Sequence, residues 1–289
     1  MTHVGDLLTH WQFDPLPAAL LVIATALYLI GADHVSRHHP DHPWPVRHTV
    51  SFLVGIGFIL VVTLGPIGAY DDTFFWAHMT QHIVLMMLAA PFLLLGEPVL
   101  LVLRLSSREF RHQVVVPVLH SRVVRFLTNP VVSWLIFAGV LVGTHFTHFY
   151  EYALEHDSVH AYVEHPLYLT AGLLYYYPLL GSSPGTNPMS PFAKVVSQFL
   201  MMVPETMTGF AIYMASGVMY PYYNSVERPW GPSTALTDQR LGGALMWSSG
   251  MVLDALWISV AAWQWIKSEE HKARRIDAEI ASGRLATEG

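Results

Sequence analysis

Seven long apolar segments constrain this chain more than any other feature of its sequence. Each is roughly 17 to 27 residues long, and about 20 apolar residues are needed to cross the hydrocarbon core of a bilayer as a helix. The sequence therefore predicts an all-α integral membrane protein, a bundle of seven transmembrane helices. The predicted spans lie near 17–33, 46–66, 74–95, 130–149, 160–180, 193–217 and 239–265.

The composition agrees with a single transmembrane domain over 1–266, followed by a polar tail over 267–289. Charged residues make up 12% of the chain, against about 25% in soluble domains. The absence of cysteine excludes disulfides, thiolate metal sites and cysteine nucleophiles. A net charge of −6 argues against a nucleic-acid partner.

The basic residues predict the orientation of the bundle. All Lys and Arg residues except Arg228 and Arg240 fall in the one–two, three–four and five–six loops or after the seventh span. Because basic loops stay in the cytoplasm, we expect the N-terminus outside and the C-terminus, with its tail, in the cytoplasm. The first fifteen residues contain no basic region, so we expect no cleaved signal peptide.

With this topology, ionisable and polar side chains from four spans meet at the outer membrane face. Ionisable residues in membrane helices are rare and mark functional sites by default. Each span contributes one or more of them at its outer end. They are His78, His82, His145, His160, Glu164, His165, Asp238 and Gln239.

The spacing of these residues suggests a metal site. His78 and His82 are four residues apart, as are His160 and Glu164, so each pair shares one helix face. His165 is rotated by about 100° from Glu164 on an α-helix and faces a different neighbour.

Two methionines extend the same pattern deeper into the membrane. Met86 lies eight residues beyond His78, and Met246 lies eight beyond Asp238. Imidazoles above thioethers suit copper, particularly Cu(I), whereas imidazoles alone suit zinc. Glu164 or Asp238 would orient the metal-binding rings through their second N–H group.

Four ordered motifs resemble the polytopic CtaG-type cytochrome c oxidase assembly factors. They are HMTQHIVLMMLAAPFLLLGEP at 78–98, HFTHFYEYAL with VHAYVEHPLYLTAGLLYYYPLL over 145–180, MYPYY at 219–223 and DQRLGGALMW at 238–247. The resemblance covers roughly 74–260. It implies that His78, His82, His145, His160, His165, Asp238 and Gln239 are the family's polar positions. Thr147 stands where many members have proline, and His148 has no counterpart in the pattern.

The resemblance implies a membrane protein of the bacterial plasma membrane that helps to assemble haem–copper oxidases of the caa type. We therefore expect a non-enzymatic factor that binds copper through His78, His82, His145, His160 and His165. It would pass the metal to a cytochrome c oxidase subunit within the lipid bilayer. Glu164, Asp238, Gln239, Met86 and Met246 would support the site.

Two alternatives remain open from the residues alone. Seven-span zinc hydrolases also gather His and Asp near one membrane face, where zinc activates water and a carboxylate acts as general base. A haem protein would instead pair His78 or His82 with His145 or His165 as axial ligands. Bound zinc, or a haem absorption band, would distinguish these alternatives from copper.

Overall fold

The protein is described by a computed structural model over residues 10–180 and 189–281. These residues form helices and connecting loops, with no strand among them. Most of the segment that bears on the signal-peptide expectation, residues 1–9, and the last part of the polar tail, residues 282–289, lie outside the described residues.

Seven long helices, which we label α1 to α7, coincide with the seven predicted spans. Two of them, α3 and α5, contain a π-helical turn between α-helical parts. The helices are α1 Pro15–His38, α2 Val46–Thr63, α3 (Phe75–Ile83, π-helical Val84–Ala89, Ala90–Leu95), α4 Pro130–Phe146, α5 (Asp157–Val159, π-helical His160–Glu164, His165–Leu180), α6 Pro191–Met214 and α7 Ala235–Ala281.

Short helices fill the connections. Those between α3 and α4 are Pro98–Leu105, Arg108–Phe110, π-helical Arg111–Val115, Val116–Leu119 and Arg122–Leu127. The others are Gly68–Tyr70, a 3₁₀ turn before α3, Phe149–Leu154 before α5 and Tyr222–Ser225 before α7.

Within the described ranges, five helical segments are long and apolar enough to cross a membrane. They are Pro15–His38, Val46–Tyr70, Phe75–Leu105, Pro191–Met214 and Ala235–Ile280, while Pro130–Phe146 is a shorter apolar helix. The chain is therefore an all-helical, multi-pass membrane protein.

Local sequence signals explain where several helices begin. Asp14, Asn129 and Ser190 cap α1, α4 and α6 by accepting hydrogen bonds from backbone N–H groups of the first turn. A proline follows each cap, at a position where its missing N–H costs nothing. Phe74, at the start of α3, has no such side chain, so the cap of α3 comes from elsewhere in the fold.

Helix α3 lies in the middle of the bundle, against α2, α5 and α7, while α6 runs along α7. Close approach of α7 to α6 and to α3 depends on two adjacent glycines, Gly243 and Gly242. A Cβ on Gly243 would lie 2.7 Å from the backbone nitrogen of Tyr213, and one on Gly242 would collide with the ring of Phe75. In the same way, Gly172 lets α5 pack against the π-helical turn of α3, where a Cβ would lie 2.6 Å from the carbonyl oxygen of Met86.

The helix α7 continues well past its apolar part. Its 47 residues correspond to about 70 Å of helix, more than twice the thickness of the hydrocarbon core. The part beyond 266 is exposed and carries ion pairs between neighbouring turns, such as Arg275 with Glu279. The polar tail predicted from residue 267 is thus a helix as far as residue 281.

Candidate metal centre

The first turns of α3 present two adjacent imidazoles to the interior of the bundle. His78 is completely buried, and 3% of His82 is exposed. Their ring centroids are 3.8 Å apart. The predicted shared face of this pair is thus present, and it faces α5 rather than lipid.

The carboxylate of Glu164 on α5 lies at the centre of the cluster. One oxygen, Oε1, is 3.5 Å from His78 Nε2 and 3.6 Å from His82 Nε2. The other, Oε2, is 2.7 Å from Nδ1 of His160 on the same helix. Because Glu164 is fully buried, these imidazoles replace the water that would otherwise solvate it. Glu164 was expected to support ligands, and its position makes it a candidate ligand as well.

A second carboxylate, Asp71, lies on the other side of His160. Its Oδ2 is 3.3 Å from His160 Nε2 and 3.8 Å from His165 Nε2. The side-chain nitrogen of Gln81 donates to the same oxygen over 2.6 Å. His165 therefore faces Asp71 rather than Glu164, in agreement with its predicted rotation.

Asp71 lies in the loop just after the second predicted span, and its environment keeps it ionised. Burial alone would raise its pKa, but the nearby charge of His160, with the charges of His165 and His78, lowers the pKa below the ordinary value. Asp71 is not among the site residues predicted from the sequence. The sequence feature that could have indicated it is an acidic residue at the outer end of an apolar span, just before the helix that carries His78.

His145 reaches the cluster from α4. Its ring centroid is 5.5 Å from that of His82. Its Nδ1 lies 2.6 Å from the carbonyl oxygen of Leu141, which leaves Nε2 facing the interior. All five histidines predicted to bind metal thus come together, although His145 lies beside His82 rather than beside the carboxylates.

Tyrosines enclose the cluster and fix its loops. Tyr150 and Tyr223 share a hydrogen bond of 2.6 Å between their hydroxyl groups, and Tyr223 also donates to the backbone oxygen of Asp71. Tyr168 lies against His82, with ring centroids 3.7 Å apart. These contacts hold the polar groups in place and exclude lipid from them.

The atoms available to bind a metal are histidine ring nitrogens that make no hydrogen bond. Among the described residues, buried ring nitrogens of all five histidines have no hydrogen-bond partner. Two overlapping groups have ligand atoms within 4.8 Å of one another. One contains Asp71, His160 and His165, the other His78, His160 and Glu164. Imidazole nitrogens and carboxylate oxygens in this arrangement fit a divalent transition metal such as copper or zinc.

Met86 and Met246 lie one layer deeper, as their spacing suggested. Both line a small cavity of about 20 Å³ below His82 and His145. That volume holds about one water molecule, so this part of the site has no room for a haem.

Asp238 and Gln239 differ from the expectation that they lie beside the metal-binding rings. Asp238 accepts hydrogen bonds from the backbone nitrogens of Phe75 over 2.9 Å and Trp76 over 3.2 Å, so it caps α3. Gln239 accepts from the backbone nitrogen of Met219 and holds the loop after α6. The reason for the difference is that α7 meets the uncapped end of α3, not its imidazole face.

Comparison with known proteins places the chain in a family. The sequence model of the cytochrome c oxidase caa3 assembly factors (Caa3_CtaG) matches residues 26–268. Uncharacterized proteins of Mycobacterium leprae and Mycobacterium bovis are each 28% identical, over 93% and 95% of this chain. The chain spans about two fifths of the length of these relatives, 41% and 42% respectively. No solved structure matches it. The match to the family model covers most of the chain, and the chain therefore belongs to the family of cytochrome c oxidase caa3 assembly factors.

Proposed function

We propose that this protein delivers copper during assembly of a haem–copper cytochrome c oxidase, with the buried histidine–carboxylate cluster as its copper site. The observation that carries this proposal is the pair of ligand groups that share His160. Imidazoles with unpartnered nitrogens and two carboxylates, all buried in a membrane protein, are costly unless they serve a function. Family membership supplies the oxidase as the destination.

The ligand set suits a metal that arrives and leaves. His160 belongs to both groups, so a metal held with Asp71 and His165 could shift toward His78 and Glu164 while keeping one ligand. Two carboxylates offset the charge of a divalent cation inside the bundle. A cargo site needs such exchangeable ligands, whereas a structural site holds its metal with a closed set of four.

We propose that all seven long helices cross the membrane, with the N-terminus outside and the tail in the cytoplasm. The distribution of Lys and Arg supports this orientation. The cluster forms where α3 and α5 begin and α4 ends, which are ends of one side in an alternating bundle. Copper would then enter from outside the bacterial plasma membrane. It would leave within the bilayer to a membrane subunit of the oxidase, with no chemical reaction catalysed.

Metal content of the purified full chain tests the proposal. We expect about one equivalent of copper bound to wild type, and an affinity at least tenfold lower after Glu164→Gln or His160→Ala. His156→Ala is the matched control, because His156 is exposed and its ring contacts Tyr152 of the short helix before α5. Copper binding that is equal in wild type and in both cluster variants would overturn the proposal.

The same samples separate the alternatives. Zinc that is retained while copper is lost would favour a zinc protein, and a Soret band would favour haem. In cells that contain only the Glu164→Gln variant, we expect oxidase that is assembled with haem but deficient in copper. Fully metallated oxidase in those cells would contradict the delivery role even if the purified protein binds copper.

A further inference from the structure

Two buried carboxyl groups face each other below the histidine cluster and have no place in the function proposed above. Glu205 on α6 is 6% exposed and Asp254 on α7 is 4% exposed. The Glu205 carboxyl lies against α7 one turn before Asp254, because a Cβ on Gly250 would be 4.0 Å from its Oε2 atom. In the described part of the chain, Glu205 Oε2 and Asp254 Oδ2 have no hydrogen-bond partner. An acidic pair at this depth of a membrane helix bundle requires a cation or a proton to offset its charge.

Glu205 lines the small cavity that also touches the histidine cluster. The cavity is enclosed by α3, α4, α6 and α7 and has a volume of about 20 Å³. Its upper wall contains His82 and His145, each of which has an unpartnered Nε2 atom within the described structure. The space thus lies between two imidazoles above and a carboxylate below.

Thioethers supply much of the remaining wall. Met79, Met86, Met87 and Met246 all line the cavity, from α3 and α7. Three of these side chains approach from one helix because Met79, Met86 and Met87 lie just before and within the π-helical turn of α3. Isolated methionines are common packing residues, but four around a space the size of one water, beside an unpartnered carboxylate, form a different environment.

We propose that this cavity is a second, inner metal site that binds monovalent copper, Cu(I), through thioethers and imidazoles. Soft thioether ligands select Cu(I), whereas the carboxylate-rich outer cluster suits a divalent ion. One negative charge on the Glu205–Asp254 pair would neutralise one positive charge on the ion. The inner site shares the imidazoles of His82 and His145 with the histidine cluster, but it uses neither of the two carboxylate-containing ligand groups, and it adds to the proposed function without depending on it.

Simultaneous titration with two metals tests this inference. The full chain, purified in detergent micelles, receives Zn(II) as a probe of the outer cluster and Ag(I) as a redox-inert probe for Cu(I). We expect wild type to bind both at once. The double variant Met86→Leu/Met246→Leu should lose Ag(I) affinity at least tenfold and keep its Zn(II) affinity, because leucine conserves volume and removes only the sulfur.

Control substitutions distinguish the loss of a metal ligand from the loss of the folded structure. Met201→Leu replaces a fully buried methionine of α6 that does not line the cavity, and should leave both affinities unchanged. Glu205→Gln should also weaken Ag(I) alone. X-ray absorption of the Cu(I)-loaded wild type should show sulfur neighbours that disappear in the double variant.

Several outcomes would overturn the inner site. One is equal Ag(I) affinity in the double variant and in Met201→Leu. Another is displacement of Zn(II) by Ag(I) one for one, which would mean a single shared site. Failure of the proposed function is distinguishable, because Glu164→Gln would then leave Zn(II) binding unchanged while Ag(I) still responds to the methionines.

Discussion

Asp238 is predicted to hold the helix that carries His78, although it does not touch the histidine. It is completely buried, and its two oxygens accept hydrogen bonds from the backbone nitrogens of Phe75 and Trp76. Arg228 Nη2 lies 3.8 Å from the same carboxylate. The first turn of α3 is thus capped by a negative charge from α7, where both its free N–H groups and its dipole favour an anion.

The magnitude follows from the number of bonds lost. Asp238→Ala leaves two backbone donors without a charged acceptor, and each such hydrogen bond contributes about 1.5–3 kcal/mol. We therefore expect a loss of about 3–6 kcal/mol in the free energy of unfolding. Asp238→Asn keeps one oxygen acceptor and should cost about 1–2 kcal/mol. Since His78 follows Phe75 by three residues, fraying of this turn should also weaken metal binding.

Equilibrium unfolding in mixed micelles, followed by circular dichroism as the denaturing detergent fraction rises, measures these differences. The matched control is Ser190→Ala, which removes an exposed serine cap from α6 and should cost about 1 kcal/mol. Metal affinity should fall about tenfold in Asp238→Ala and stay unchanged in the control. If Asp238→Ala unfolds like Ser190→Ala, the carboxylate is not the cap that the geometry indicates.

Two further substitutions test the packing and the support of the site. Gly243→Ala places a Cβ 2.7 Å from the backbone of α6 and should destabilise the protein by about 1–3 kcal/mol in the same unfolding assay. Gly143→Ala, whose Cβ would have no neighbour within 4 Å, should be neutral or slightly stabilising. Equal effects of the two substitutions would refute the close contact. Gln81→Leu removes the donor to Asp71 and should weaken zinc or copper binding about 10–100-fold. Gln198→Leu, which removes a donor to the backbone oxygen of Lys194, should leave the metal affinity unchanged. Unchanged affinity in Gln81→Leu would show that Asp71 needs no such support.

The helices were predictable because hydrophobic length is a strong signal in membrane proteins. Each predicted span coincides with a long helix, and most ends agree within a few residues. The largest difference is α7, which continues to Ala281 because the exposed tail has helical ion pairs rather than a helix stop. The π-helical turns of α3 and α5 were not predictable, since they depend on packing between helices rather than on local residue preferences.

The site was predictable where topology alone brings residues together. The five histidines converge because each lies at the end of a span and the ends alternate. Apart from Glu164, the sequence could not show which acidic residue meets them. Asp71 reaches the histidines from the loop before α3. Asp238 was predicted at the same depth in the membrane as the histidines, but it lies on the other side of α3. Glu205 and Asp254 were not predicted as site residues because each is a single acidic residue in a long apolar span. The packing of α6 on α7 brings them together.

The geometry also indicates which side of the site can move. Helices α3 and α7 are joined along their length, by Asp238 at the start of α3 and by the Trp257 indole, which donates to the backbone oxygen of Met87 over 3.0 Å. His78, His82 and the thioethers of α3 and α7 therefore form one rigid wall. The opposite wall, from α5, meets α3 through the close contact at Gly172, and its His160–Glu164 segment is a single π-helical turn. Because π-turns are frequent at functional sites, we propose that the copper of the proposed function is released by movement of this turn away from α3.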